Sequence, residues 1–156
     1  MRAVIQRANG AQVSVEGKVV GSFEGPGIVL LVGVTHDDDE SRAQALADKV
    51  YGLRIFEHRH ATDLACLPPS APREVSARDL GLPVLVISQF TLYASTKKGR
   101  RPTWDAAAPG PVAEPLIESV AQALRDLGAP VHTGRFGADM QVTFTNDGPV
   151  TIVLDV

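Results

Sequence analysis

A chain of 156 residues, 44% of them hydrophobic and with a formal net charge of −3, is long enough to bury a core and too apolar to be disordered. The acidic balance excludes a nucleic-acid binder whose whole surface is basic, and no apolar run approaches the ~20 residues of a membrane span. The single cysteine, Cys66, has no partner for an internal disulfide, and Arg2 comes too early for a signal peptide. These features predict one cytoplasmic domain over residues 1–156.

Charge is nevertheless uneven. Acids cluster at His36-Asp37-Asp38-Asp39-Glu40, and Lys97-Lys98-Gly99-Arg100-Arg101 forms a compact basic loop. Such a loop is either a solvated surface or a local patch for a phosphate backbone.

In chain order, residues 2–8 and 13–15 have strand character, and Glu16-Gly17-Lys18 reads as a hairpin turn. Gly25-Pro26-Gly27 predicts a break before the continuous apolar run 28–34, a strand covered on both faces. Thr35 or Asp37 is placed to cap a helix whose apolar positions Ala43, Leu46, Ala47, Val50 and Tyr51 recur at helical spacing up to about Gly52. Residues 53–56 predict a short strand. The proline-punctuated stretch 57–83 predicts an irregular surface excursion. Within it, Glu57, His58, His60 and Asp63 make only a weak metal set, so a solvated loop is the plainer reading. Val84–Ile87 predicts a second buried strand. A helix follows over 111–127, with Val112, Leu116, Val120 and Leu124 on one stripe and Gly128 ending it.

The C-terminal stretch holds two period-2 runs, Met140/Val142/Phe144 and Val150/Ile152/Leu154. Between them stand Asp147-Gly148, a turn dipeptide, and Pro149, which cannot donate to a central ladder. Locally this predicts a β-turn joining two strands. The whole pattern is α+β: a large, strongly curled, barrel-like sheet with two main helices.

Hydrolase signatures are missing: there is no G-x-S-x-G elbow, no H-E-x-x-H and no phosphate-binding Gly-Lys-Ser/Thr loop. None of His36, His58, His60 and His132 adjoins a hydroxyl as a triad requires. What remains is Ser88-Gln89-Phe90-Thr91 at the end of a buried strand. Its hydroxyls, amide and strand-end N–H groups suit a carbonyl oxygen or a ribose, or merely satisfy one another.

Ser88-Gln89-Phe90-Thr91-Leu92 together with Asn146-Asp147-Gly148-Pro149-Val150-Thr151 closely resembles the paired motifs of the D-aminoacyl-tRNA deacylases. Ala3–Arg7, Gly33–Glu40 and Thr133–Phe136 through Val142 match as well, so the similarity spans nearly the whole chain. The resemblance implies a homodimer, without metal or cofactor, that hydrolyses the ester between a D-amino acid, or mischarged glycine, and the 3′ end of tRNA. It assigns the catalytic pocket to Ser88, Gln89, Phe90 and Thr91, with the RNA 2′-hydroxyl assisting. It makes Gly148-Pro149 a cis peptide inserted into the partner's pocket beside Ser88 and Thr91. There it excludes L side chains, Arg7 holds it, and Phe136 and Met140 close the pocket. Thr91 is expected to position rather than attack, because no base accompanies it. One departure stands out: residues 57–81 are longer and richer in proline than the family's short segment there. The contrasting reading is a catalytically silent RNA-binding module on the same fold.

Overall fold

Alternating small and branched apolar residues carry β1 (Arg2–Val15) and β2 (Lys18–Gly33) well beyond ordinary strand length. In the computed structural model, which describes residues 1–61, 70, 72–97 and 99–156, the two strands pair antiparallel. Their turn holds both central residues at positive φ, Glu16 at 51° and Gly17 at 75°, the hairpin geometry that follows the strands' own twist. Gly25-Pro26-Gly27 does not break the chain as expected. β2 runs through it, and Pro26 lies opposite Asn9 at a register shift, where a residue without an N–H is tolerated.

Helix α1 (Glu40–Gly52) buries Ala43, Leu46, Ala47, Val50 and Tyr51, as its spacing predicts. Its cap is Asp39, whose carboxylate accepts the Arg42 N–H at 3.0 Å, and not Thr35 or Asp37. Thr35 is committed elsewhere: its hydroxyl donates to Ala106 O and its main chain bridges Ala107. The excursion after α1 is partly ordered. It holds the two-residue strands β3 (Phe56–Glu57) and β4 (Glu74–Val75), a 3₁₀ turn at His58–His60, and the short helix α2 (Ala77–Leu80) capped by Ser76. Asp63, Cys66, Pro68, Pro69 and Lys98 lie outside the described residues.

Strand β5 (Val84–Ser88) pairs parallel to β2, and β6 (Val131–Thr133) pairs parallel to β5. A parallel neighbour demands a crossover, so α1 and α3 (Gly110–Asp126) are carried over the sheet in the two connections. Both meet the large apolar cluster built on Ile5, Leu30, Leu46, Val50, Val84 and Leu124. The buried stripe of α3 is Ala113, Val120, Ala121 and Leu124, while Val112, expected inside, is 41% exposed.

The C-terminal runs are one strand, β7 (Met140–Asp155), lying along β1 over its whole length. They are not two strands joined by a turn. Sheet order is β6-β5-β2-β1-β7, which leaves β6 and β7 as free edges. The sheet is therefore open, and the strongly curled, barrel-like core that was expected is not found. Closure would require the long edge of β7 to pair with a β6 of three residues. A second apolar cluster, built on Val13, Phe23, Val29, Leu85 and Ile87, draws only on strand residues. Leu31, Met140, Val142 and Phe144 pack against it and remain partly exposed.

Gly33 sets how closely the chain after β5 can pack. A Cβ there would stand 3.1 Å from Gln89 O, Leu92 Cβ and Tyr93 Cδ2. Gly33→Val should therefore destabilise the protein by about 1–3 kcal/mol, the range for overpacking. Urea unfolding would measure it, and an unchanged midpoint would refute the tight contact.

Candidate active site

The parallel strands β2 and β5 end side by side, Val32 opposite Ser88, and the chain leaves both at the same edge. A cleft of about 370 Å³ opens there, the position outside the carboxyl ends of parallel strands where α/β folds hold ligands. Ser88, Gln89 and Phe90 form one wall. The first turns of α3, at Gly110, Ala113 and Ile117, form another, with Phe136 and Trp104 at the margins. The start of α3 places a helix N-terminus at the cleft, which favours negative charge or a carbonyl oxygen.

Gln89 is anchored by its N–H, which donates to Val32 O at 2.7 Å. From it the chain enters a 3₁₀ turn, Phe90–Tyr93. The first N–H groups of such a turn have no partner inside it, and those of Phe90 and Thr91 have no main-chain acceptor among the described residues. Two adjacent unclaimed donors are what a developing oxyanion needs. Arg2 fixes the far side of the turn: it donates to Leu92 O at 3.3 Å, lies 5.4 Å from the Tyr93 ring centre and pairs with Asp155 at 2.8 Å. Arg2's hydrogen bond holds the Asp155 carboxyl below the usual range. Burial, with Asp38 adding to it, pushes the Tyr93 phenol up, so it stays protonated near neutrality.

Among the described residues, no Asp, Glu, His, Lys or Arg lines the cleft. Thr91 does not line it either. Its Oγ1 accepts a 2.5 Å hydrogen bond from Gln89 Nε2, and no base stands by to take its proton. Phe90 is 58% exposed and meets the Trp104 ring edge-on at 5.7 Å, presenting aromatic surface at the mouth. Beside it, Ser95 and Thr103 pair across the base of the basic loop, leaving Lys97, Arg100 and Arg101 on an exposed tip. Phe136 lines the cleft. Met140 does not: its sulfur lies against Gly134, and it packs with Ile87 on the opposite face of the sheet.

The second motif lies elsewhere. Gln6 pairs with Thr151 and Ala8 with Asn146, so Asp147, Gly148, Pro149 and Val150 all face the one residue Arg7. The surplus forms a wide bulge. Arg7 is buried beneath it, with Nε 3.1 Å from Asp147 O and Oδ2, and Nη1 2.5 Å from Ile55 O. Gly148 has φ of 114°, and a Cβ there would collide with Arg7 Nη2. Among the described residues no peptide bond is cis, so Gly148-Pro149 is trans and the expected cis bond is corrected. The physical reason is that the segment continues as extended β7 backbone. Trans is also favoured by roughly 0.5–1 kcal/mol for an X–Pro bond.

The structure thus brings Ser88, Gln89, Phe90 and Phe136 together, and separately Arg7, Gly148 and Pro149. Three strand spacings and about four residues of strand separate the groups, roughly 20 Å at 4.8 Å per strand and 3.3 Å per residue. One side chain went unseen in the sequence and another was read otherwise. Trp104 carried a signal, the only tryptophan, just after the basic loop. His60 was read as part of a weak metal set or a solvated loop. It is buried, 6% exposed, with Nε2 3.0 Å from Asp147 Oδ2, rather than solvated. His58 contacts Pro72 O at 2.7 Å.

Comparison with known proteins gives the family and the fold. A family profile described as D-Tyr-tRNA(Tyr) deacylase matches residues 4–155. The D-aminoacyl-tRNA deacylase of Kineococcus radiotolerans is 56% identical over 155 residues, covering 99% of each chain. That of Nocardia farcinica is 57% identical over 157 residues, again with 99% of each covered. A solved structure of a c-Myc DNA unwinding element binding protein superposes with a TM-score of 0.85 at 35% identity, over 100% of this chain and 99% of that one. A probable eukaryotic D-amino acid tRNA deacylase shares the fold, with a TM-score of 0.80 at 17% identity and coverage of 99% and 98%. The chain belongs to the D-Tyr-tRNA(Tyr) deacylase family of hydrolases.

Proposed function

We propose that this protein hydrolyses the ester joining a D-amino acid, or mischarged glycine, to the 3′ adenosine of tRNA, in the cytoplasm, as a homodimer. The observation that carries the chemistry is the cleft itself: neutral, bordered by the unclaimed N–H of Phe90 and without a titratable side chain among the described residues. An aminoacyl ester is already activated, so orientation and oxyanion stabilisation are enough to speed its hydrolysis. Water attacks the ester carbonyl carbon, and the oxyanion that forms is received by the main-chain N–H of Phe90 at the cleft wall. The bond from that carbon to the ribose 3′-oxygen then breaks. The attacking water's proton ends on that 3′-oxygen, passed through the neighbouring 2′-hydroxyl, which substitutes for an absent side-chain base. Phe90 and Trp104 offer stacking surface to the terminal adenine. Lys97, Arg100 and Arg101 face the backbone phosphates.

Chirality is read by the bulge of a second subunit. Within one chain Gly148 and Pro149 are too far from Ser88 to meet the same substrate, which supports insertion from a partner. The free edge of β7 and the partly exposed Leu31, Met140, Val142 and Phe144 provide an apolar face for such a partner. Rigid main chain set against the α-carbon excludes an L side chain and admits a D side chain or glycine hydrogen. A filter of that kind cannot reject a substrate lacking a side chain, which accounts for glycine.

Incubated with charged tRNA, the protein should release D-tyrosine from D-Tyr-tRNA and spare L-Tyr-tRNA by at least about a hundredfold in kcat/KM, roughly 2.7 kcal/mol. Salt-sensitive tRNA binding with neither amino acid released would establish the silent binding module instead. Thr91→Ala should keep kcat within about tenfold, the loss of one hydrogen bond. A fall beyond about a thousandfold in single-turnover assays would make Thr91 the nucleophile.

A further inference from the structure

We propose that His60 is a positioning residue for the discrimination step, locking the Asp147-Gly148-Pro149 bulge through the Asp147 side chain; this rests on the preceding reading of the bulge as the chirality filter. His60 Nδ1 lies 2.8 Å from Glu57 N and 3.1 Å from Glu57 O, and because the Asp147 carboxylate can only accept, the ring presents it with an N–H at Nε2. That N–H donates to Asp147 Oδ2 at 3.0 Å. The ring is held in orientation by the capping box of its own 3₁₀ turn and by the edge of Phe56, 5.5 Å away at 85°. Four groups capable of charge face it: Arg7 from β1, Asp147 from β7, and Glu57 and Arg59 from its own turn, the last two paired at 3.5 Å.

Arg7 grips Asp147 at the carboxylate and at the main-chain oxygen, both at 3.1 Å. One residue contacted at one nitrogen can still rotate about that contact. A second donor, arriving from a segment outside the five-stranded sheet, removes the rotation. Asp147 O belongs to the peptide that leads into Gly148, and Gly148 is the one residue of the bulge with φ in the left-handed half, where the chain is otherwise free to swing. Fixing Asp147 therefore fixes the direction of the Gly148 and Pro149 carbonyls. His60 lies in the proline-rich excursion, so that excursion acquires a role: it buttresses the filter from behind without touching the cleft.

The test compares D-Tyr-tRNA and L-Tyr-tRNA deacylation by the wild type, His60→Ala and His60→Gln, together with thermal unfolding of each. His60→Ala should lower the D-to-L ratio of kcat/KM at least tenfold, through a rise in the L rate, while kcat on D-Tyr-tRNA stays within threefold. His60→Gln, whose amide nitrogen can donate to Asp147, should restore most of the ratio. Equal losses on both substrates that track the melting temperature would overturn the proposal, as would an unchanged ratio in His60→Ala. Nitrogen-15 NMR gives a readout that survives failure of the functional reading. If the wild type releases neither amino acid, disorder of the Gly148 amide in His60→Ala and its recovery in His60→Gln would still support the clamp. A Gly148 amide identical in all three would refute it.

Discussion

The interaction on which the molecule most depends is the buried guanidinium of Arg7. A buried cation is tolerated only when its donors are met. Here they are met by Ile55 O before β3 and by Asp147 O and Oδ2 in β7. Two segments distant in sequence are thereby fixed to one side chain on β1. The same guanidinium determines what can stand above it. Nη2 occupies the space a Cβ on residue 148 would need, so glycine is the only residue that fits the bulge as it lies. Main chain is consequently brought to the surface with no side chain over it, a condition for a filter that works by backbone alone.

The cleft follows the opposite logic. At the carboxyl ends of β2 and β5 charge is excluded rather than anchored: valines, alanines, glycines and aromatics line it, with Ser88 and Gln89 as its polar members. Low polarity strengthens each remaining dipole, so the N–H groups opening the 3₁₀ turn and the start of α3 act more strongly on a polarised carbonyl than they would in water.

Local pattern made much of this legible, and its limits are physical. Period-2 alternation marked both halves of β7, and helical spacing marked α1 to within a residue of its end. Whether two alternating runs form one strand or two depends on which strand they pair with, and that is information held by β1. Asp147-Gly148 carries ordinary turn chemistry, yet β1 offers a continuous ladder on either side of it, so the surplus residues bulge instead of turning. Val112 fits the apolar stripe of α3 by spacing, but the stripe the fold buries is Ala113, Val120, Ala121 and Leu124, and Val112 is left outside. Asp39 became the cap because its neighbours were already engaged in tertiary contacts. His60 sits in a stretch with every mark of a solvated loop, and only the fold brings Asp147 to it. The motifs themselves were legible as resemblance, while their separation within one chain was not.

That separation bears on why the two motifs lie on different strands. If filter and cleft sat on one rigid sheet beside each other, the filter's carbonyls would take main-chain partners in the ladder and would be turned away from solvent. Lying in a bulge on the edge strand, Gly148 and Pro149 escape the ladder, and Pro149 has no N–H to leave unsatisfied there. An edge strand is also where another chain can approach without disturbing the sheet. The same geometry keeps the two motifs apart within one chain and leaves the bulge on an edge of the sheet. The bulge is held by Arg7 and His60 on Asp147 beneath it, not by the ladder it has left.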